Sequence, residues 1–191
     1  MEAARTKHYA LLSRLLADQS RASDLTVYLS WAKDLVDIQG GKVIEPFIQG
    51  LERWLEKDAA DQNLQVEYAH LFLLPVGVKP YESTYRSKEK LLMQESWVKV
   101  KSFYKECGLK LDQSYNHPED HAAIELSFMA HLTGSGARKT QRDFFLQHIN
   151  PWIPHFFEDL RVNPYADFFH HVAEYGLSFL ETERNHFSTT P

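Results

Sequence analysis

The chain has 191 residues, a formal net charge of −5 and a hydrophobic share of 43%. That length fits one domain or two small helical ones, the apolar share is enough for a packed core, and the negative balance argues against nucleic acid as the main partner. The single cysteine, Cys107, excludes an internal disulfide and fits a reducing compartment.

No apolar run approaches the ~18 residues that a membrane-spanning helix needs. Met1-Glu2-Ala3-Ala4-Arg5 lacks the apolar stretch and cleavage site of a secretory signal. The expectation is a cytoplasmic protein without stable membrane insertion. Cys107 stands at a predicted helix end and reads as a small buried residue, since one nearby lysine does not make a reactive thiol.

Over residues 3–18, Tyr9, Leu12, Leu15 and Leu16 recur at helical spacing, and Asp18-Gln19-Ser20 ends the run. A second helix follows Ser23-Asp24 with Leu25, Tyr28, Leu29, Leu35 and Val36 apolar, stopped by Gly40-Gly41. A third runs from about Val43 to Lys57 through Phe47, Ile48, Leu51, Trp54 and Leu55. The fourth starts near Asp61-Gln62 and sets Leu64, Tyr68, Leu71 and Phe72 on one side. The period then breaks. Pro75 to Tyr85 holds two prolines and Gly77, so residues 75–87 are predicted to be a hinge joining an N-terminal half, 1–74, to a C-terminal half, 88–191.

A helix is expected from about Lys88 to Cys107, with Met93, Trp97, Val100, Tyr104 and Cys107 as its stripe and Gly108 as its C-terminal cap. A loop from Leu109 to Tyr115 leads to the most structured motif of the chain. There Asn116 or His117 is a fitting N-cap, Pro118 suits the first helical position, and Glu119 and Asp120 make the first turn acidic. Ala122, Leu126 and Met129 follow as a core stripe, and His121 and Glu125 lie one turn apart. Acidic residues in a first turn stabilise a helix without any ligand, so the motif alone does not define a site.

Beyond Gly134-Ser135-Gly136, a helix carries Arg138, Lys139 and Arg142 and then Phe144, Phe145 and Ile149. Asn150-Pro151 resets the register for Trp152, Phe156 and Phe157. Asn163-Pro164 is expected to start a last helix with Tyr165, Phe168, Phe169, Val172, Tyr175 and Phe179, leaving a frayed polar tail after Glu183. The fold expected is all-α, a bundle of about nine helices in two halves.

No glycine-rich phosphate loop, G-x-S-x-G elbow or H-E-x-x-H motif is present. Ten histidines make a metal-dependent helical enzyme the catalytic alternative. Glu67-x-x-His70 has the spacing of di-iron carboxylate bundles, and Glu125 is the one attractive further carboxylate. Glu183-x-x-His186 repeats the spacing in the tail. The aromatic stripe of the last helix reads as core, and the three basic residues 138, 139 and 142 as a solvated face.

Four stretches resemble the TorD/DmsD family of redox-enzyme maturation (Tat proofreading) chaperones. They are Glu67-Tyr68-x-x-Leu71-Phe72, Pro80-Tyr81-Glu82-Ser83-Thr84-Tyr85, Phe103-Tyr104-x-x-Cys107-Gly108-Leu109, and Pro118-x-Asp120-His121-x-x-x-Glu125-Leu126-x-Phe128-Met129. The last is the most specific, and order and spacing carry the likeness more than any one motif. Some members have a Trp-Gly pair where this chain has Tyr81-Glu82.

The resemblance implies an all-helical, non-enzymatic cytoplasmic chaperone without a cofactor or metal of its own. Its partner would be the signal peptide, or another N-terminal stretch, of a molybdopterin oxidoreductase catalytic subunit, held back until cofactor insertion. It also implies a monomer or a dimer swapped through the hinge. Carried over by position, the peptide-binding residues are Pro118, Asp120 and His121 at a groove, Glu125 one turn below, and Tyr81, Ser83 and Tyr85 from the hinge. Glu67 joins them from the fourth helix, either facing the peptide or holding the hinge closed. The physics agrees: a twin-arginine leader offers guanidinium groups to carboxylates and an apolar segment to a cleft.

Overall fold

The computed structural model describes residues 2–17, 22–39, 43–112 and 116–189. Over these the chain forms ten α-helices and no strand: α1 Glu2–Ala17, α2 Ala22–Gln39, α3 Glu45–Leu55, α4 Ala60–Tyr68, α5 Glu82–Arg86, α6 Glu95–Glu106, α7 Ala122–Ser135, α8 Arg138–Phe144, α9 Ile153–Arg161 and α10 Phe168–Thr189. Two of them run on into a π-turn, α4 through Ala69–Leu73 and α8 through Phe145–Ile149. The expected stops at Asp18-Gln19-Ser20 and Gly40-Gly41, and Tyr115 of the central motif, lie outside the described residues.

The core is shared between the two predicted halves. Helix α1 packs along α7, and α10 packs on both α9 and α3. The stripe Ala122, Leu126 and Met129 is fully buried as its spacing requires, but Ala123, Ile124 and Phe128 are buried too. Only Ser127 interrupts the burial between Ala122 and Met129, so α7 is a central helix rather than an amphipathic one. Aromatic rings fill the remaining space, with Trp54 against Phe168 and Phe103, Tyr104 and Phe128 all against Phe144.

Three boundaries differ from the sequence reading, each for a local reason. Helix α6 starts at Glu95, not Lys88, because Lys90 and Met93 take left-handed φ values of 51° and 56°, which no helix accommodates. Helix α10 starts at Phe168, since Asn163 Oδ1 accepts the Tyr165 N–H and folds Asn163-Pro164 into a turn. Its far end does not fray at Glu183. That carboxylate accepts two 2.6 Å hydrogen bonds from Arg5 and one of 2.7 Å from the Tyr9 hydroxyl, while Arg5 also donates to Gln141. A fully paired buried arginine ties α1, α8 and α10 together.

The chain leaves the first π-turn through Gly77, whose N–H donates to the Leu74 carbonyl. A Cβ built at Gly77 would lie 2.3 Å from the Leu71 carbonyl oxygen. The obstacle is backbone and has no rotamer to relieve it. Gly77→Ala is therefore expected to lower the unfolding free energy by about 2 kcal/mol, read as a lower urea midpoint at unchanged m-value.

Candidate functional site: the hinge and its clamp

The hinge segment Pro80–Arg86 lies against the start of α7, and backbone joins them first. The Ala122 N–H donates to the Pro80 carbonyl, the Glu82 N–H donates to the Asp120 carbonyl, and Tyr81 and His121 form an isolated antiparallel bridge. Side chains then finish both helix starts. Asp120 Oδ2 accepts the Ser83 N–H at 2.9 Å, capping α5 from across the chain. His121 Nδ1 accepts the Ala123 N–H at 3.1 Å and is the N-cap of α7. The expected cap at Asn116 or His117 is thus displaced, because Pro118, Glu119 and Asp120 form a turn ahead of the helix rather than its first turn.

Three carboxyls follow in a line beneath the hinge, and none of Asp120, Glu82 and Glu125 has any exposed surface. Glu82 Oε1 accepts from Arg86 Nη1 at 2.5 Å, and its Oε2 lies 3.0 Å from His148 Nδ1. Arg86 Nη1 donates also to the Gln147 carbonyl at 2.8 Å. Gln147 and His148 both stand on the second π-turn, a feature that recurs at functional positions in helices. Glu125 Oε2 accepts the Trp152 indole N–H at 2.9 Å, whereas Glu125 Oε1 and Asp120 Oδ1 accept from no donor.

Burial first, and then the neighbouring Glu82 carboxyl, push the Glu125 pKa well above its ordinary value. Both effects favour the neutral acid over a third like charge in the interior. Burial raises Asp120 as well, and its contacts with Ser83 pull it part of the way back. His121 is driven the other way, down to about 3, by burial and then by His117. A neutral ring is what an N-cap acceptor requires.

The sequence-derived site therefore splits. Pro118, Asp120, His121, Tyr81 and Ser83 do come together, since the His121 N–H also donates to the Pro118 carbonyl. But Asp120, His121, Ser83 and Glu125 are buried, so the expected open lip of carboxylates does not exist in this conformation. Asp120 Oδ2 and His121 Nδ1 are drawn inward by backbone donors at the helix starts, and Glu125 by the Trp152 indole N–H. The half-buried members are Pro118, Tyr81 and Tyr85. Tyr81 reaches His117 at 3.1 Å, and Tyr85 donates to Asp159 at 2.9 Å while its ring lies against Trp152.

Glu67 takes neither expected role. Its two oxygens accept the N–H groups of Asp167, Phe168 and Phe169 at 2.8, 3.0 and 2.8 Å, so it caps α10. His70 stacks on Tyr165 instead of turning toward Glu67's carboxylate. The proposed metal set of Glu67, His70 and Glu125 does not converge, and among the described residues no three His, Cys, Asp or Glu side chains are placed to hold a metal. Glu82, Arg86, His148 and Trp152 were missed by the sequence reading. The one available clue was the i,i+4 spacing of Glu82 and Arg86 inside a stretch read as irregular.

Residues 42–158 match the family model described as nitrate reductase delta subunit. The chaperone protein TorD of Salmonella bongori is 31% identical over 82% of this chain and 81% of its own. TorD of Vibrio cholerae is 27% identical over 95% and 90%. The crystal structure of an Archaeoglobus fulgidus protein assigned to redox enzyme maturation superposes with a TM-score of 0.61 at 21% identity, covering 92% of this chain and 93% of that one. That similarity extends to the fold.

Two measurements check these helix caps. Glu67→Ala is expected to cost about 3 kcal/mol, from three backbone donors left without an acceptor, and Glu67→Gln less, as judged by urea unfolding. For His121 the sign follows from its lowered pKa: the folded ring stays neutral while the unfolded ring protonates near 6.5. Its contribution is complete above about pH 6.5 and is lost as pH falls toward about 3. His121→Asn keeps a capping oxygen without that proton. Its stability relative to wild type should therefore grow by about 1.4 kcal/mol per pH unit below pH 6.

Proposed function

The chain belongs to the TorD/DmsD family of redox-enzyme maturation chaperones, and from that premise we propose that it is a non-enzymatic cytoplasmic chaperone for a molybdopterin oxidoreductase. It binds the twin-arginine signal peptide, or N-terminus, of the catalytic subunit and delays export or assembly until the cofactor is in place. The observation that supports this reading best is the meeting of Pro80–Tyr85 with Pro118–Glu125. These belong to two of the four stretches that carry the family resemblance, the second being the most specific, and they form one clamp. No helix among the described residues is long and apolar enough to cross a membrane.

In this reading the peptide lies along the half-buried edge of the hinge. Tyr81, Tyr85 and Pro118 touch it, and their amphipathic rings offer both apolar area and polar tips. Asp120, His121, Ser83 and Glu125 hold that edge in shape from within, and Glu67 acts at a further remove by fixing the start of α10. The segment 75–87 is the joint about which two copies would exchange halves in a swapped dimer.

A synthetic leader of the client is expected to bind with a dissociation constant in the micromolar range, about −8 kcal/mol, by titration calorimetry. Tyr81→Ala should weaken it about tenfold, and Asp120→Ala should weaken it while also lowering the thermal midpoint. A wild-type protein that ignores every twin-arginine leader of its host would end this reading.

A further inference from the structure

Three buried carboxyls, Asp120, Glu82 and Glu125, lie beneath the hinge, and of these Glu82 meets a guanidinium, that of Arg86, together with the His148 imidazole. Asp120 takes the Ser83 N–H and Glu125 the Trp152 indole N–H, each on one oxygen, and the buried Ser83 hydroxyl is a further donor beside them.

Arg86, the guanidinium on Glu82, occupies a position with open space on both sides, and Lys99 lines the same two spaces. Arg86 lines a cavity of about 310 Å³ toward Ser87, Lys88 and Ser96, and another of about 590 Å³ toward Phe103, Leu146 and His148. Its side chain keeps 36% of its surface exposed while Glu82 keeps none. Arg86 is thus the stopper between solvent and a buried carboxylate. The second π-turn completes the receptor by turning the Gln147 carbonyl onto the same guanidinium nitrogen.

We propose that Glu82, with the Gln147 carbonyl, forms a guanidinium-binding site that this chain's own Arg86 fills in the free protein and that an arginine of the client's leader takes over on binding. The occupant rests on the leader-binding reading above, whereas the site itself does not. The chemistry selects arginine: a guanidinium is weakly hydrated, planar and suited to a partly desolvated carboxylate, while an ammonium is held more tightly by water. The leader must displace a tethered competitor, so its apolar part supplies the remaining affinity, and leaders lacking that part do not open the site. Arg86 acts as an internal mimic that keeps the carboxylate paired until a client arrives.

The test opens the site by removing the stopper. Arg86→Ala is expected to lose several degrees of thermal midpoint and to recover them in low-millimolar guanidinium chloride, but not in equal sodium chloride or lysine amide. Arg86→Ala combined with Glu82→Gln should show no recovery. Arg86→Gln serves in the same assay if the alanine variant does not fold. The opened variant should also bind the leader about tenfold more tightly than wild type, the scale of one charge-assisted hydrogen bond. Equal rescue by lysine amide, or none by guanidinium, overturns the site even if wild type binds leaders well. Rescue by guanidinium together with no leader binding by any form overturns the leader as occupant and the reading above with it.

Discussion

Asp120 holds the hinge with two groups at once. Its carbonyl accepts the Glu82 N–H and its carboxylate accepts the Ser83 N–H, so a single residue ahead of α7 supplies the first two acceptors that α5 needs. A five-residue helix has too few internal hydrogen bonds to form unaided. Its existence depends on this external cap, and everything the hinge presents depends on α5. With α5 in place, Glu82 is aimed at His148 and Arg86 at Gln147, and Tyr85 falls between Trp152 and Asp159. Without Asp120 the segment 75–87 would be a proline-interrupted loop with no fixed side-chain directions.

The cost of this arrangement is electrostatic. Removing three carboxyls from water is unfavourable unless each is paired or neutral. Glu82 is paired with Arg86 and His148, Asp120 is satisfied on one oxygen, and Glu125, its pKa raised by burial, accepts the Trp152 indole N–H. Such networks define one geometry sharply, because every slip strands a charge. The hydrophobic alternative would pack as well and hold the hinge as firmly. What an ionic clamp adds is sensitivity to a competing donor, which an apolar contact does not have.

The sequence made most of the architecture legible and misplaced the site by one layer. Aromatic and aliphatic residues at helical spacing identified the bundle, and Gly108 and Gly136 do end α6 and α7 at φ values of 73° and 75°. The motif around Asp120 also stood out. Its capping pattern suggested an acidic first turn at a surface, and the helix begins at Ala122 only because His121 makes the cap. Local spacing reports what neighbours along one helix do. It does not report that Ser83 N–H lies across the chain from Asp120, or that Glu67 meets the N-terminus of α10 a hundred residues later. The π-turns were invisible for a related reason: each widens the last turn of its helix, where no further apolar repeat remains to report the change of register. His148, on the second of these turns, was therefore not singled out.

These displacements bear on how family motifs should be interpreted. Residues that recur together between the hinge and α7 invite the inference that they touch the ligand. Here Asp120, Ser83 and Glu82 touch one another, and the residues with access to solvent are Tyr81, Tyr85, Pro118 and Arg86. A ligand shifts a conformational equilibrium only through differential affinity for its states. A leader that merely lay on the closed hinge would leave the clamp as it found it. One that offered Glu82 a second guanidinium would exchange an internal ion pair for an intermolecular one, at little net electrostatic cost because the donor chemistry is the same. The hinge would then be free to move with Arg86 released and Glu82 still paired. In such an exchange the buried carboxylates act as a relay between recognition and hinge opening, and Asp120 would matter to binding without ever meeting the peptide.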